Sequence, residues 1–314
     1  MGIVIKQYTS AEKHIWNEFL PKARNATFLF DRNYMDYHSN RFEDLSLMIY
    51  KDEKLIALLP ANRVGDCLYS HQGLTYGGLI SSEKATTAVT LEVFEQINEY
   101  LRTKHIERVV YKPTPWIYHL VPAEEDLYAL FKVCHAQLVS RNISSTINMC
   151  HRVKWHHGRK YGINRCLNNG VTIEVSDERY KGFWKVLNDN LRARYGAKPV
   201  HTLQEIALLR DRFPERIRLY TAIKDNQVMG GVLLYLTQQV VHTQYISASP
   251  EGKYLGAIDA IINRILSEDY KDVPYFDFGK STEQDGLYLN ESLIWQKEGF
   301  GARGVCYDTY EWHL

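Results

Sequence analysis

The residues in this chain best suited to chemistry are one carboxylate inside an apolar run and a few histidines. Asp277 stands in Tyr275-Phe276-Asp277-Phe278-Gly279. In a buried strand, desolvation would raise the pKa of such a carboxylate and let it transfer protons, unless a cation paired with it. Lys280 and Lys297 are the cations at hand, so a structural ion pair is the other reading of the same residue. His201 closes the loop Ala197-Lys198-Pro199-Val200-His201. An imidazole titrates near neutral pH and suits base work, although here it could equally bond the cap of the helix that follows. On the strand-like VVHTQYIS, His242, Gln244 and Ile246 share a face, which makes His242 and Gln244 further candidates.

Some chemistry is argued against. Cys150-His151 followed by His156-His157 has no second ligand pair at zinc-finger spacing, so no metal is expected. Ser281 and Thr282 lack a G-x-S-x-G elbow, and hydrolase chemistry is not expected. The stretch RVKWHHGRKYGINR interleaves cations with aromatics, which suits either a phosphate- or nucleic-acid-binding surface or the solvated face of a linker helix.

The elements that must position these residues are clearest in the second half. Thr172 to Val175 predicts a short strand, and a helix follows from about Asp177 to Tyr195, stopped by Gly196. Thr202-Leu203-Gln204-Glu205 has capping-box spacing for a second helix that runs to Phe213, before Pro214. IRLYTAI, QVMGGVLLYL and VVHTQYISA are rich in β-branched and aromatic residues and read as three strands. Ile258, Ile261, Ile262 and Ile265 make one stripe of a helix over Gly256 to Leu266. The strand YFDFG, a helix over Asn290 to Lys297 and the strand VCYDTYEW complete the order.

The first half repeats this layout. VIKQYTSAEKHIWNEF matches TIEVSDERYKGFWKVL, with Ile5 and Trp16 answering to Ile173 and Trp184, and KDEKLIA returns as KDNQVMG. LYALFKVCHAQLVSRNISST aligns with LIWQKEGFGARGVCYDTYEW, so the chain reads as two copies of one domain, 1–152 and 153–314. At 314 residues, each copy has room for its own core. A 45 % hydrophobic and 24 % charged composition is that of an ordinary globular protein. No apolar run is long enough to span a membrane and the start lacks a signal-peptide layout, so no membrane insertion is expected and the expected location is the cytoplasm. Five scattered cysteines without a CxxC pair fit a reducing compartment. A net charge of +1 argues against a large nucleic-acid footprint.

This element order resembles the GNAT acyltransferase fold, implying an α+β protein of two tandem GNAT-like domains, each with a mixed, mostly antiparallel sheet flanked by helices. In that superfamily a Gly-rich turn before the third helix holds the pyrophosphate of coenzyme A on backbone N–H groups. Here the turn is Pro250-Glu251-Gly252-Lys253-Tyr254-Leu255-Gly256-Ala257, with Gly252 and Gly256 three residues apart rather than one. The resemblance therefore implies Ser249, Gly252, Lys253, Gly256 and Ala257 as donor-binding residues, and coenzyme A or an acyl-coenzyme A as co-substrate. Trp295 stands where the superfamily commonly has the tyrosine that protonates the leaving thiolate, and indole cannot supply that proton. Two units in tandem, with FDFGKST followed by a KEGFGA corner, look more closely like the Fem-related aminoacyltransferases, though without a coiled-coil insertion.

In the first copy, Thr75-Tyr76-Gly77-Gly78 replaces the donor turn and Val133-Cys134-His135 replaces the Gly-Phe corner. The second half is thus expected to be the donor side and the first the acceptor side. Acyl transfer to an amine or hydroxyl then assigns His201 and Asp277 as catalytic candidates. His71, Gln72, Tyr76, Arg194, Lys198, Gln244 and Lys280 are the acceptor-binding candidates, in a cleft suited to a small anionic acceptor. The expected partners are that acceptor and an acyl donor, with tRNA as donor under a Fem-type reading; a non-catalytic relative of the fold is the third reading.

Overall fold

The computed structural model of the protein describes residues 2–314. The first part of the chain runs β1 (Ile3–Gln7), α1 (Lys13–Phe19), α2 (Arg32–Met35), β2 (Glu43–Asp44), β3 (Leu47–Lys51), β4 (Lys54–Leu59), β5 (Asn62–Val64), β6 (Cys67–Tyr69) and β7 (Ile80–Ser81). It continues with α3 (Thr87–Thr103), β8 (Arg108–Tyr111), α4 (Glu125–Lys132) and β9 (Gln137–Asn148). Next come α5 (His157–Asn168), β10 (Thr172–Val175), α6 (Tyr180–Tyr195), α7 (Leu203–Arg212), β11 (Ile217–Lys224), β12 (Gln227–Leu236) and β13 (Val240–Ala248). The chain ends with α8 (Pro250–Leu255), α9 (Ala257–Arg264), β14 (Tyr275–Lys280), β15 (Thr282–Glu283), β16 (Tyr288–Leu289), α10 (Glu291–Glu298) and β17 (Arg303–His313).

Two compact units form, and they are not consecutive segments. Unit 1 takes the chain up to Ile143 together with Thr282–Tyr288 and Cys306–Leu314; unit 2 takes Ser144–Ser281 and Leu289–Val305. The division differs from a single cut after residue 152. Strands β9 and β17, of 12 and 11 residues, are about twice the common strand length, so one end of each serves a different unit from the other.

In unit 1, β1, β3, β4 and β7 form an antiparallel sheet, and β17, β8, β6, β5 and β2 follow one another in a second one, in which β6 and β8 run parallel. Val93, Phe94, Ile97 and Leu101 of α3, spaced at helical intervals, are buried in a core that also takes Trp312 of β17.

In unit 2, the order is β10, β11, β12, β13, β14 and the Ser144–Asn148 end of β9. Every pair is antiparallel except β13 with β14. The β11–β12 hairpin turns on Asp225 and Asn226, both at positive φ, the residue types that tolerate that conformation best after glycine. Helix α6 stops at left-handed Gly196, whose N–H bonds Arg192 O while Ala197 N–H bonds Leu191 O. Helix α7 carries the expected capping box, Thr202 with Glu205. The isoleucine stripe of α9 is buried in the core. One segment differs from the sequence expectation. Pro250–Leu255 is a helix rather than a turn, because Ser249 caps it and proline is well placed at its first position. The result is a mixed, mostly antiparallel sheet flanked by helices. Among the described residues, no helix is long and apolar enough to cross a membrane.

Candidate active site

The register of three neighbouring strands assembles a buried polar cluster in unit 2. Parallel pairing of β13 with β14 ends at His242 opposite Asp277, and antiparallel pairing of β14 with β9 sets Asp277 opposite Thr146. Residues opposite one another share a face, so His242, Asp277 and Thr146 lie in a row, and Ser144 joins them two residues along β9. Asp277 is fully buried. Its Oδ1 accepts from Ser144 Oγ at 2.5 Å and Thr146 Oγ1 at 2.8 Å, and its Oδ2 lies 2.8 Å from His242 Nδ1. Burial acts to raise this carboxyl, but the hydrogen bond and charge of His242, with the two hydroxyls, outweigh it and hold the group below the usual carboxylate range.

The chemical consequence falls on His242. An ionised carboxylate only accepts, so Nδ1–H of the imidazole donates to it and the basic lone pair is left on Nε2. A carboxylate that fixes the tautomer and orientation of an imidazole, and stabilises its cation, makes the ring a competent general base. Beyond this point β14 leaves the ladder. Its pairing with β9 shifts register between Asp277 and Lys280, and Gly279 adopts φ +75° with the His242 ring against its Cα face. On β13, Gln244 is the extra residue of a β-bulge, since Thr243 pairs with Leu234 and Tyr245 with Leu233.

Lys297 of α10 clamps the departing strand. Its Nζ donates to Gly279 O at 2.8 Å and Lys280 O at 2.7 Å, and its side chain is buried. Burial pushes its pKa down to about 8, against the attraction of the Asp277 charge. The cation considered for Asp277 therefore binds backbone carbonyls, and the direct partners of the carboxylate are His242, Ser144 and Thr146. Lys280 contributes its carbonyl to the same clamp.

The other sequence candidates are distributed elsewhere. His201 is buried, with Nδ1 2.8 Å from the Tyr245 hydroxyl, so it ties the loop before α7 to β13 and contacts a different residue from Asp277. Arg194 reaches Ser292 Oγ at 3.3 Å, and Lys198 is exposed. At the start of α8, Ser249 Oγ accepts from Gly252 N–H, Lys253 N–H bonds Ser249 O, and Pro250 has no N–H. Lys253 Nζ bonds Asn190 Oδ1, and Ala257 is buried. A Cβ on Gly252 would stand 2.0 Å from Met229 O, and one on Gly256 2.5 Å from Gly162 O; both glycines admit neighbouring backbone. In unit 1, His71 and Tyr76 are buried, Gly73 N–H donates to His71 Nδ1, Gln72 exchanges two hydrogen bonds with Asn62, and Tyr76 Oη donates to Thr27 Oγ1. These polar groups are engaged by their own unit. Among the described residues, no cluster of histidine, cysteine or carboxylates has the makings of a metal site.

Sequence reasoning left out Ser144 and Thr146 as partners of Asp277. Their only signal is the alternation in Ser144-Ser145-Thr146, which acquires meaning once β9 is known to pair with β14.

Residues 158–285 match the acetyltransferase (GNAT) domain family. Across 99 % of this chain and 97 % of the other, the structure is similar to that of FemX, at 10 % identity and a TM-score of 0.69. The fold is GNAT-like and similar to that of FemX. L-PGS from Bacillus licheniformis is similar over 99 % of this chain and 93 % of its own, at 11 % identity and a TM-score of 0.61. A tandem GNAT protein from the clavulanic acid biosynthesis pathway is similar over 99 % and 98 %, at 8 % identity and a TM-score of 0.51. Comparison with curated protein sequences gives no match.

Proposed function

We propose that the chain is an acyltransferase whose chemistry is carried out in unit 2, with His242 as general base and Asp277 as the residue that orients it. The observation that carries this reading is the His242–Asp277 hydrogen bond at the point where β13 and β14 stop pairing. His242 Nε2 takes the proton from an attacking amine or hydroxyl as the new bond to the acyl carbon forms. The imidazolium is then stabilised by the buried carboxylate. When the tetrahedral intermediate collapses, the bond from the acyl carbon to the donor's sulfur or oxygen breaks and the imidazolium returns that proton to the leaving thiolate or alkoxide. Backbone N–H groups of the bulge at Gln244, outside the regular ladder, are the candidates to receive the oxyanion. The GNAT match of residues 158–285 supports acyl transfer in general. Coenzyme A or a carrier thioester as donor, and a small anionic acceptor, remain the specific reading. Charged tRNA as the donor is the second reading.

The test is transfer from acetyl-coenzyme A, longer acyl-coenzyme A esters and charged tRNA to a panel of amine and hydroxyl acceptors. With an active pair found, His242→Ala should lower turnover about 10²- to 10⁴-fold, while Asp277→Asn lowers it and moves the pH profile. His242→Ala protein that unfolds like wild type yet turns over normally would end the assignment. Loss in His201→Ala alone would return the role to the loop before α7.

A further inference from the structure

A buried polar group ordinarily has a hydrogen-bond partner, and near the end of β10 unit 2 buries two that find none among the described residues. They are the hydroxyl of Tyr180, the first residue of α6, and Nε of Arg218 on β11. Tyr180 as a whole is 6 % exposed. A donor buried without an acceptor destabilises a fold, so two in one neighbourhood point to an acceptor from outside the chain.

A cavity of about 420 Å³ lies where β10 ends, α7 ends and β11 begins, with Arg210 and Arg218 among its walls. That volume is within the range of about 300–1,000 Å³ common to small-molecule sites. The phenol belongs to the same surroundings. Burial raises its pKa and keeps it a donor, and the charges that act on it are those of Asp177, Arg210, Arg218 and Asp211, all cavity residues. The Arg210 guanidinium lies 5.7 Å from its ring.

The groups around this cavity are layered. The carboxylates of Asp177, Asp211 and Glu215 stand at the rim, on side chains 63 to 84 % exposed. Arg210 directs Nε and Nη2 to Asp211, and Arg218 directs Nη2 to Glu215, so the buried donors left over are Tyr180 O–H and Arg218 Nε–H. Two inner donors match a carboxylate, and rim carboxylates match an ammonium group. Val175, Ile217 and Leu219 add an apolar wall. With one more carboxylate than guanidinium around it, a phosphate or other dianion is disfavoured.

We infer that this cavity binds a free α-amino acid with an apolar side chain, at a site separate from the one at His242. Ile217 pairs with Tyr235 and Tyr235 with His242, which places the cavity wall two strands, about 10 Å, from the imidazole. The inference stands without the acyltransferase reading.

Calorimetric titration of the full chain with leucine, valine and phenylalanine tests it, with isovalerate, isopentylamine and inorganic phosphate as partial probes. Wild type and His242→Ala should bind at least one of the amino acids alike, and each partial probe about tenfold or more weaker. Tyr180→Phe should lose about tenfold or more in amino-acid affinity, because a hydrogen bond to a charged group is lost. Without ligand, Tyr180→Phe should be at least as stable as wild type, since the hydroxyl it removes has no partner in the protein. No amino-acid binding by wild type, unchanged affinity in Tyr180→Phe, or phosphate bound more tightly than the amino acids would overturn the proposal. So would a lower unfolding midpoint of ligand-free Tyr180→Phe, which would show the hydroxyl to be satisfied within the fold. None of these results bears on His242.

Discussion

At the residue scale, a buried charge is informative through what surrounds it. Asp277 and Lys297 are both buried in the same unit, yet their environments act in opposite ways. Three side-chain donors favour the charged form of Asp277, whereas two carbonyls leave Lys297 with a net desolvation penalty. The sign of the lysine effect is specific. Its folded pKa, about 8, lies below its unfolded value of 10.5. The unfolded chain therefore binds more protons between those values, and the lysine contribution to stability rises with pH across that window. Chemical denaturation of wild type and Lys297→Met at pH 7 to 10.5 should show the wild type gaining on the variant, by up to about 1.4 kcal/mol per pH unit. Parallel curves would mean that Lys297 is solvated and the clamp on Gly279 and Lys280 is loose.

At the scale of elements, much was legible because local signals carried it. The capping box at Thr202, the stop at Gly196, the turn at Asp225-Asn226 and the isoleucine stripe of α9 each depend on residues within one or two turns of chain. What was not legible depended on partners distant in sequence. The sequence reads the glycines at 252 and 256 as donor-binding; what it does not show is that both also admit neighbouring backbone. The close approach is to Met229 and Gly162. Gly256→Ala should therefore destabilise the fold with no ligand present: its Cβ would meet Gly162 O, and its φ of +83° is one that alanine rarely adopts. The expected loss, read by thermal or chemical unfolding, is about 1–3 kcal/mol. Wild-type stability in Gly256→Ala would show that α5 gives way at Gly162, and the glycine would again need a ligand to explain it. For the same reason, loss of ligand binding in a Gly256→Val variant says little about a phosphate site.

At the scale of the whole molecule, the repeat is visible in the sequence, but the strands at its ends are divided otherwise than a cut between copies implies. Unit 2 needs Ser144–Asn148 to pair with β14 and to bring Ser144 and Thr146 to Asp277. Unit 1 needs Cys306–His313, which pairs with β8 and carries Trp312 into the core beside Phe94 and Tyr111, with its indole N–H donating to Asn98 Oδ1 at 3.1 Å. A fragment 1–152 lacks the second, and a fragment 153–314 lacks the first. Losing the buried Trp312 alone should cost about 3–5 kcal/mol, a large share of the stability of an ordinary domain. Neither fragment should therefore fold by itself, as read by unfolding cooperativity and amide-hydrogen protection, although each spans one copy of the repeat. A chain cleaved in the exposed segment His151–Lys154 keeps both strands available and should retain its unfolding transition. If 153–314 alone unfolds cooperatively with protected amides in β14, the end of β9 is dispensable, and His242 and Asp277 could form their bond without Ser144 and Thr146.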